Sequence, residues 1–118
     1  MVEIVSEKHI KEFAVNHAQH AEALYAWISI VKNCNWEKPI DILGDFNSTD
    51  ILPKKDNNSK SPERAVFDVK GNNIRIIIKY QFFPKLKKCK LYLKWIGTHA
   101  EYTKLCKKKL QYEIDLFN

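Results

Sequence analysis

A chain of 118 residues, 45% apolar and 29% charged, has the make-up of one compact domain and carries too many aromatic residues to stay disordered. No apolar run approaches the ~20 residues of a membrane-crossing helix, and Met1-Val2-Glu3-Ile4 lacks a cationic start leading into an apolar stretch, so the expectation is a cytoplasmic protein with no membrane partner. The net charge of +6 is unevenly spread: residues 64–109 hold thirteen Lys/Arg against two acids, while the remainder is mildly acidic, an asymmetry that suits a polyanionic partner.

In chain order, Glu3-Ile4-Val5 reads as a short strand, and Ser6 as the N-cap of a helix with Glu7 in its first turn. Ile10, Phe13, Ala14 and His17 then recur at helical spacing, which predicts an amphipathic helix over 7–18 with His17 packed on its apolar stripe. Leu24, Trp27, Ile28 and Val31 predict a second helix over 21–34. Residues 36–52 are irregular, with a short helix near 40–44. The run from Pro53 to Pro62 is polar throughout and predicts a flexible loop, ending by residue 63.

The period then changes from helical to alternating. Ala65, Phe67 and Val69 face one way and Asp68 and Lys70 the other. Gly71-Asn72-Asn73 is a tight-turn signal. Beyond it, Ile74, Ile76, Ile78 and Tyr80 alternate with Arg75, Ile77, Lys79 and Gln81. A loop over 84–88 leads to a third strand, in which Leu91, Leu93 and Trp95 oppose Lys90, Tyr92, Lys94 and Ile96. The expectation is an α+β fold: an antiparallel meander with the two helices on its apolar face. The domain spans 1–106. After Lys107-Lys108-Lys109, the alternating Leu110, Tyr112, Ile114 and Leu116 of the 107–118 tail fit an edge strand, a strap across the sheet or a frayed helix.

Cys34, Cys89 and Cys106 are odd in number and far apart, which argues against a disulfide framework. His17/His20 is the one close pair of metal-binding side chains, so neither a metal nor a cofactor is expected. By strand parity, Asp68, Lys70, Arg75, Lys79, Lys90, Tyr92 and Lys94 share one face of the sheet. Such a cationic surface with an aromatic in it suits a nucleic-acid backbone. Arg75 has the planar fork that phosphate prefers, and the alternative is a pair with Asp68 across the strands. After the last strand comes Gly97-Thr98-His99-Ala100-Glu101-Tyr102. There Gly97 ends the strand, Thr98 can cap a short helix, and His99 and Tyr102 lie on one helical face. A histidine at the lip of a basic sheet can move protons near neutral pH. A purely binding module, for RNA or DNA, would use the same lysines without needing His99 or Tyr102.

Three stretches resemble the HigB family of bacterial toxins within the RelE-like superfamily. They are Val66-Phe67-Asp68-Val69-Lys70-Gly71-Asn72 running into Ile74-Arg75, the Gly97–Tyr102 motif, and the Ala26-Trp27…Trp36…Pro39 spacing. The resemblance covers residues 1–105 in family order, with a longer 53–62 loop and an additional tail. It implies a ribosome-associated mRNA endonuclease, working without metal through the RNA's own 2′-hydroxyl and neutralised by a helix-turn-helix antitoxin of HigA type. On that reading Arg75, His99, Lys79 and Tyr102 serve the cut, and Lys70, Lys90, Tyr92 and Lys94 hold the RNA.

Overall fold

The computed structural model describes residues 1–52, 63–69 and 73–117. The chain opens with β1 (Val2–Val5), α1 (Glu7–Asn16), α2 (Ala18–Lys32) and α3 (Pro39–Asp45). There follow β2 (Asp50–Ile51), β3 (Arg64–Val69), β4 (Ile74–Phe83), β5 (Lys88–Thr98) and α4 (His99–Lys107). The 53–62 loop and the Gly71-Asn72 turn residues lie outside the described residues. The sheet order is β1-β5-β4-β3-β2. β2 through β5 pair antiparallel, as the meander predicts, and β1 pairs parallel to β5. Neither β1's partner nor the two-residue β2 could be read from periodicity. The first is a pairing between distant parts of the chain, and the second is too short to show a pattern.

The two N-terminal helices lie on one face of the sheet and bury Ile10, Leu24, Trp27 and Val31 against Phe67, Ile76, Ile78 and Leu91. Phe67 is the aromatic centre of this core. Its ring meets Trp27 edge-on at 5.2 Å, Phe46 edge-on at 5.4 Å and Trp36 in a stack at 6.2 Å. His17 ends α1 as a packed residue: its ring stacks on Phe13 at 3.8 Å, and Nδ1 donates to the Phe13 carbonyl at 3.0 Å. Ser6 departs from the expected cap. The chain must turn sharply from β1 into α1, so Ser6 adopts left-handed backbone (φ 68°) and its hydroxyl caps nothing. Glu7 anchors the helix start through Lys11 and Lys32.

The main correction lies in β5. Ile77 stands opposite Trp95, yet Ile78 stands opposite Leu93, so Lys94 is an extra residue in the ladder. A one-residue bulge reverses the facing of everything beyond it. Leu91 and Leu93 face the helices as expected, but Trp95 crosses to the other side and Ile96 takes its place in the main core. That other side is therefore not an open cationic surface. Val66, Ile77 and Trp95 form a second apolar cluster with Leu52 and Leu105, and Tyr102, Leu110, Tyr112 and Ile114 pack over it.

The tail adds no strand among the described residues. Leu110–Tyr112 forms a single 3-10 turn, and the chain then runs on as a strap. Arg64 donates to the carbonyls of Gln111 and Ile114 at 3.2 and 2.9 Å. The Leu116 amide donates to the Lys94 carbonyl at 3.0 Å, and Phe117 stacks on His9 of α1 at 4.7 Å. β1 pairs with β5 only as far as Tyr92, so the carbonyl at the bulge is accessible to the strap. Because Phe67 is fully buried among three aromatics, Phe67→Ala should cost about 3–5 kcal/mol. Urea unfolding checks this as a lower midpoint at unchanged slope.

Candidate active site

Arg75, in β4, stands opposite Asp68 on β3 and Gly97 on β5. Of the two readings of Arg75, the structure contains the cross-strand pair with Asp68. Arg75 Nη1 is ion-paired with Asp68, while its Nη2 reaches His99 Nδ1 at 3.3 Å. The pair is largely shielded, with each side chain 15% exposed, and His99 is exposed. A guanidinium can only donate, so in this contact Nδ1 of His99 is the acceptor. The guanidinium carbon also lies 5.5 Å from the centre of the Tyr102 ring, within cation–π range.

Local chemistry fixes His99. Thr98 Oγ1 accepts from the Glu101 amide at 3.2 Å, and Glu101 Oε1 accepts from the Thr98 amide at 2.9 Å. This reciprocal capping box starts α4 at His99, as the sequence expectation of a Thr98 cap requires. The His99 amide donates to the Asn73 carbonyl at 3.1 Å, tying the helix start to the beginning of β4. Tyr102 follows three residues later, with its ring 6.0 Å from that of Trp95. Burial, with a hydrogen bond to Cys106 next in weight, pushes the Tyr102 hydroxyl well above the usual phenol range, so it serves as a neutral phenol.

Gly97 does not end the strand, as expected, but sits inside β5. A Cβ there would lie 2.5 and 2.6 Å from Cη2 and Cζ2 of Trp95. The glycine thus makes room for the indole.

The remaining expected residues are more dispersed. Lys79 is four positions from Arg75 on the same strand, about 13 Å away at the usual rise, and faces Glu63 at 3.7 Å. Parity correctly put the two on one face but says nothing about nearness, and Lys79 does not join the Arg75–His99 group. It lines a separate hollow of about 380 Å³ with Glu63, Tyr80, Gln81, Tyr92 and Lys94. The Tyr92 hydroxyl donates to Gln81 at 3.2 Å. Lys90 lies 3.7 Å from Glu3 and over the Phe83 ring. Lys94 is only 12% exposed and is held by Asp115 at 3.1 Å. Lys70 lies outside the described residues. Among the described residues, no group of three or more His, Cys, Asp or Glu could hold a metal ion, and no helix is long and apolar enough to cross a membrane. Sequence reasoning missed Trp95 as a neighbour of the site. The signals for it were the apolar pair Trp95-Ile96, which breaks the alternation, and the glycine two residues on.

Residues 20–105 match the sequence model of the HigB toxin family, described as the RelE-like toxic component of a toxin–antitoxin system. The chain belongs to the HigB toxin family. Over 102 residues it is 30% identical to the mRNA interferase HigB of Escherichia coli O6:H1, covering 86% of this chain and 89% of that protein. It is 27% identical over 99 residues to the mRNA interferase toxin HigB of Escherichia coli K12 and to an mRNA interferase HigB of Shigella flexneri, covering 84% of this chain and 86% of each. Asp68, Arg75, His99 and Tyr102 of this HigB-family chain all fall within the matched segment, and the strap lies beyond it. Thr98→Ala removes the acceptor of the Glu101 amide and should cost roughly 1 kcal/mol. Hydrogen exchange checks it, as faster exchange of the Glu101 amide than in the parent.

Proposed function

We propose that this chain is the mRNA-cleaving toxin of a toxin–antitoxin pair, and that Arg75 and His99 carry the cut with Tyr102 beside them. The observation that carries the reading is the Arg75 guanidinium, held by Asp68 on one side with its other nitrogen at the exposed His99 ring. RNA supplies its own nucleophile. The 2′-oxygen bonds to phosphorus as the bond from phosphorus to the 5′-oxygen of the next nucleotide breaks. One proton must therefore leave the 2′-hydroxyl and another must reach the 5′-oxygen. His99 is the proton-transfer group, a role that typically supplies about 10²–10⁴ in rate. Held in place by Asp68, Arg75 bears on the charge of the five-coordinate phosphorus through Nη2; phosphate taking that donor frees Nδ1 of His99 to accept the 2′-hydroxyl proton, and water supplies the proton that the 5′-oxygen takes. The scheme needs no metal. Tyr102, neutral and half-buried, supports the guanidinium with its ring face.

Lys79 and Lys90, with the ring of Tyr92, hold the RNA backbone away from the cut, Lys94 joins them only when Asp115 releases it, and Lys70 is a further RNA-binding residue. With His99 exposed, the mRNA needs a larger body to pose it there, and we place the reaction on the ribosome. A helix-turn-helix antitoxin of HigA type, with acidic and apolar residues, would silence the toxin by covering the site or blocking the approach to the ribosome.

Expressed alone in a bacterium, the chain should arrest growth and shorten mRNAs, whereas Arg75→Ala and His99→Ala should be tolerated. Arrest as strong as the parent's in both variants would remove them from the site. A second measurement separates holding from cutting. Lys79→Ala and Lys90→Ala should each lower the salt dependence of single-stranded RNA binding by about 0.7 in log–log slope. His99→Ala should leave that slope unchanged while ending cleavage. A non-catalytic RNA- or DNA-binding module would show the lysine effect and have no cleavage to lose.

A further inference from the structure

Regular pairing of β5 is interrupted where Lys94 is inserted, and the insertion turns Trp95 out of the main core toward Arg75's side of the sheet. Two residues on, Gly97 stands opposite Arg75 with no side chain, and the outer atoms of the indole occupy the space its Cβ would take. Burial alone does not call for this arrangement. A leucine or isoleucine at position 95 would also be apolar enough to join the cluster of Leu52, Val66, Ile77 and Leu105, without supplying a ring. A glycine inside a strand also costs roughly 0.5–1 kcal/mol relative to alanine. What the bulge and the bare glycine achieve together is a large flat ring beside Tyr102, at 6.0 Å between centres. Tyr102 in turn lies against the Arg75 guanidinium. Leu110, Tyr112 and Ile114 of the strap close the same cluster from outside.

We propose that Trp95 is a positioning residue of this site: its indole, admitted by Gly97, sets the Tyr102 ring against which the Arg75 guanidinium is held. The role rests on the reading of Arg75 and His99 as the cutting groups. Trp95 touches no substrate, so it should act on turnover and leave RNA binding alone.

The test compares the full-length parent with Gly97→Ala, Trp95→Leu, Trp95→Phe and the Gly97→Ala/Trp95→Phe double variant. Each is assayed for cleavage kinetics, for binding of an RNA carrying a 2′-deoxy nucleotide at the cut, and for Tm. Gly97→Ala and Trp95→Leu should lower kcat by about 10- to 100-fold, the scale of an ångström-size misplacement, with KM and deoxy-RNA affinity within about twofold. Trp95→Phe should lose less, because a ring remains. In the double variant much of the Gly97→Ala loss should return, since phenylalanine lacks the outer indole atoms that the new Cβ would meet.

Parent-like kcat in Gly97→Ala and Trp95→Leu, or a double variant no better than Gly97→Ala alone, overturns the proposal. So does a loss of kcat that merely follows the loss of Tm across the set. If Gly97→Ala does not fold, Trp95→Leu against Trp95→Phe decides by the same kcat criterion. Arg75→Ala run alongside separates the two claims. Cleavage that needs Arg75 but ignores Trp95 defeats this proposal only, whereas cleavage indifferent to Arg75 defeats the functional reading and this proposal with it.

Discussion

From Lys88 to Leu93, β5 runs against β4 in one register, and from Trp95 to Thr98 it runs in the next, with Lys94 absorbing the difference. The arrangement on the site side of the sheet follows from that insertion. With a regular ladder, Trp95 would join Leu91 and Leu93 beneath the helices, and Ile96 would stand among the lysines. With the bulge, Ile96 completes the main core and Trp95 becomes the centre of a second one, beneath α4 and the strap. Bulges sharpen local twist and re-aim the side chains beyond them. Here the re-aimed segment is the one that leads through Gly97 and Thr98 to His99.

The cationic groups fall into two kinds. Lys79 and Lys90 sit in loose pairs with Glu63 and Glu3, both at 3.7 Å and with side chains more than 40% exposed. Pairs of that kind contribute about 0–1 kcal/mol, so a polyanion can displace the acid at little cost. Arg75 is different. Its partner Asp68 is shielded with it, and separating the pair would leave a charge poorly solvated. The lysines therefore suit a backbone that slides and exchanges, and Arg75 suits a role that demands a fixed position. Asp68 costs the site a positive charge and keeps the guanidinium in place.

The strap gives the chain a feature beyond the segment that matches the HigB toxin family. It holds the sheet by backbone and side chain together: Arg64 to two of its carbonyls, Lys94 to Asp115, and its Leu116 amide to the carbonyl of the bulge residue. Its apolar residues cover Ile77 and Val66, which would otherwise be exposed in the middle of the face. The bulge, the second core and the strap thus depend on one another.

Much of this was legible in the chain alone. Helical spacing in Ile10–His17 and Leu24–Val31, and alternation in Ala65–Val69 and Ile74–Tyr80, identify the two helices and two of the strands, because burial on one face imposes its period on the residues. Thr98 with Glu101 three residues later marks the start of α4, since that cap is a contact between near neighbours. Arg75, His99 and Tyr102 could be singled out by residue type and face. Tertiary structure decided what depends on partners distant in the chain. It decided that β1 pairs beside β5, that Ser6 turns the chain instead of capping it, and that Lys79 is paired with Glu63. It also decided that an alternating tail is a strap, because covering a second apolar cluster produces the same period as a half-buried strand. The facing of Trp95 was hidden for the same kind of reason. Alternation counts residues along one strand, and only the opposing strand reveals that one of them, Lys94, has no counterpart.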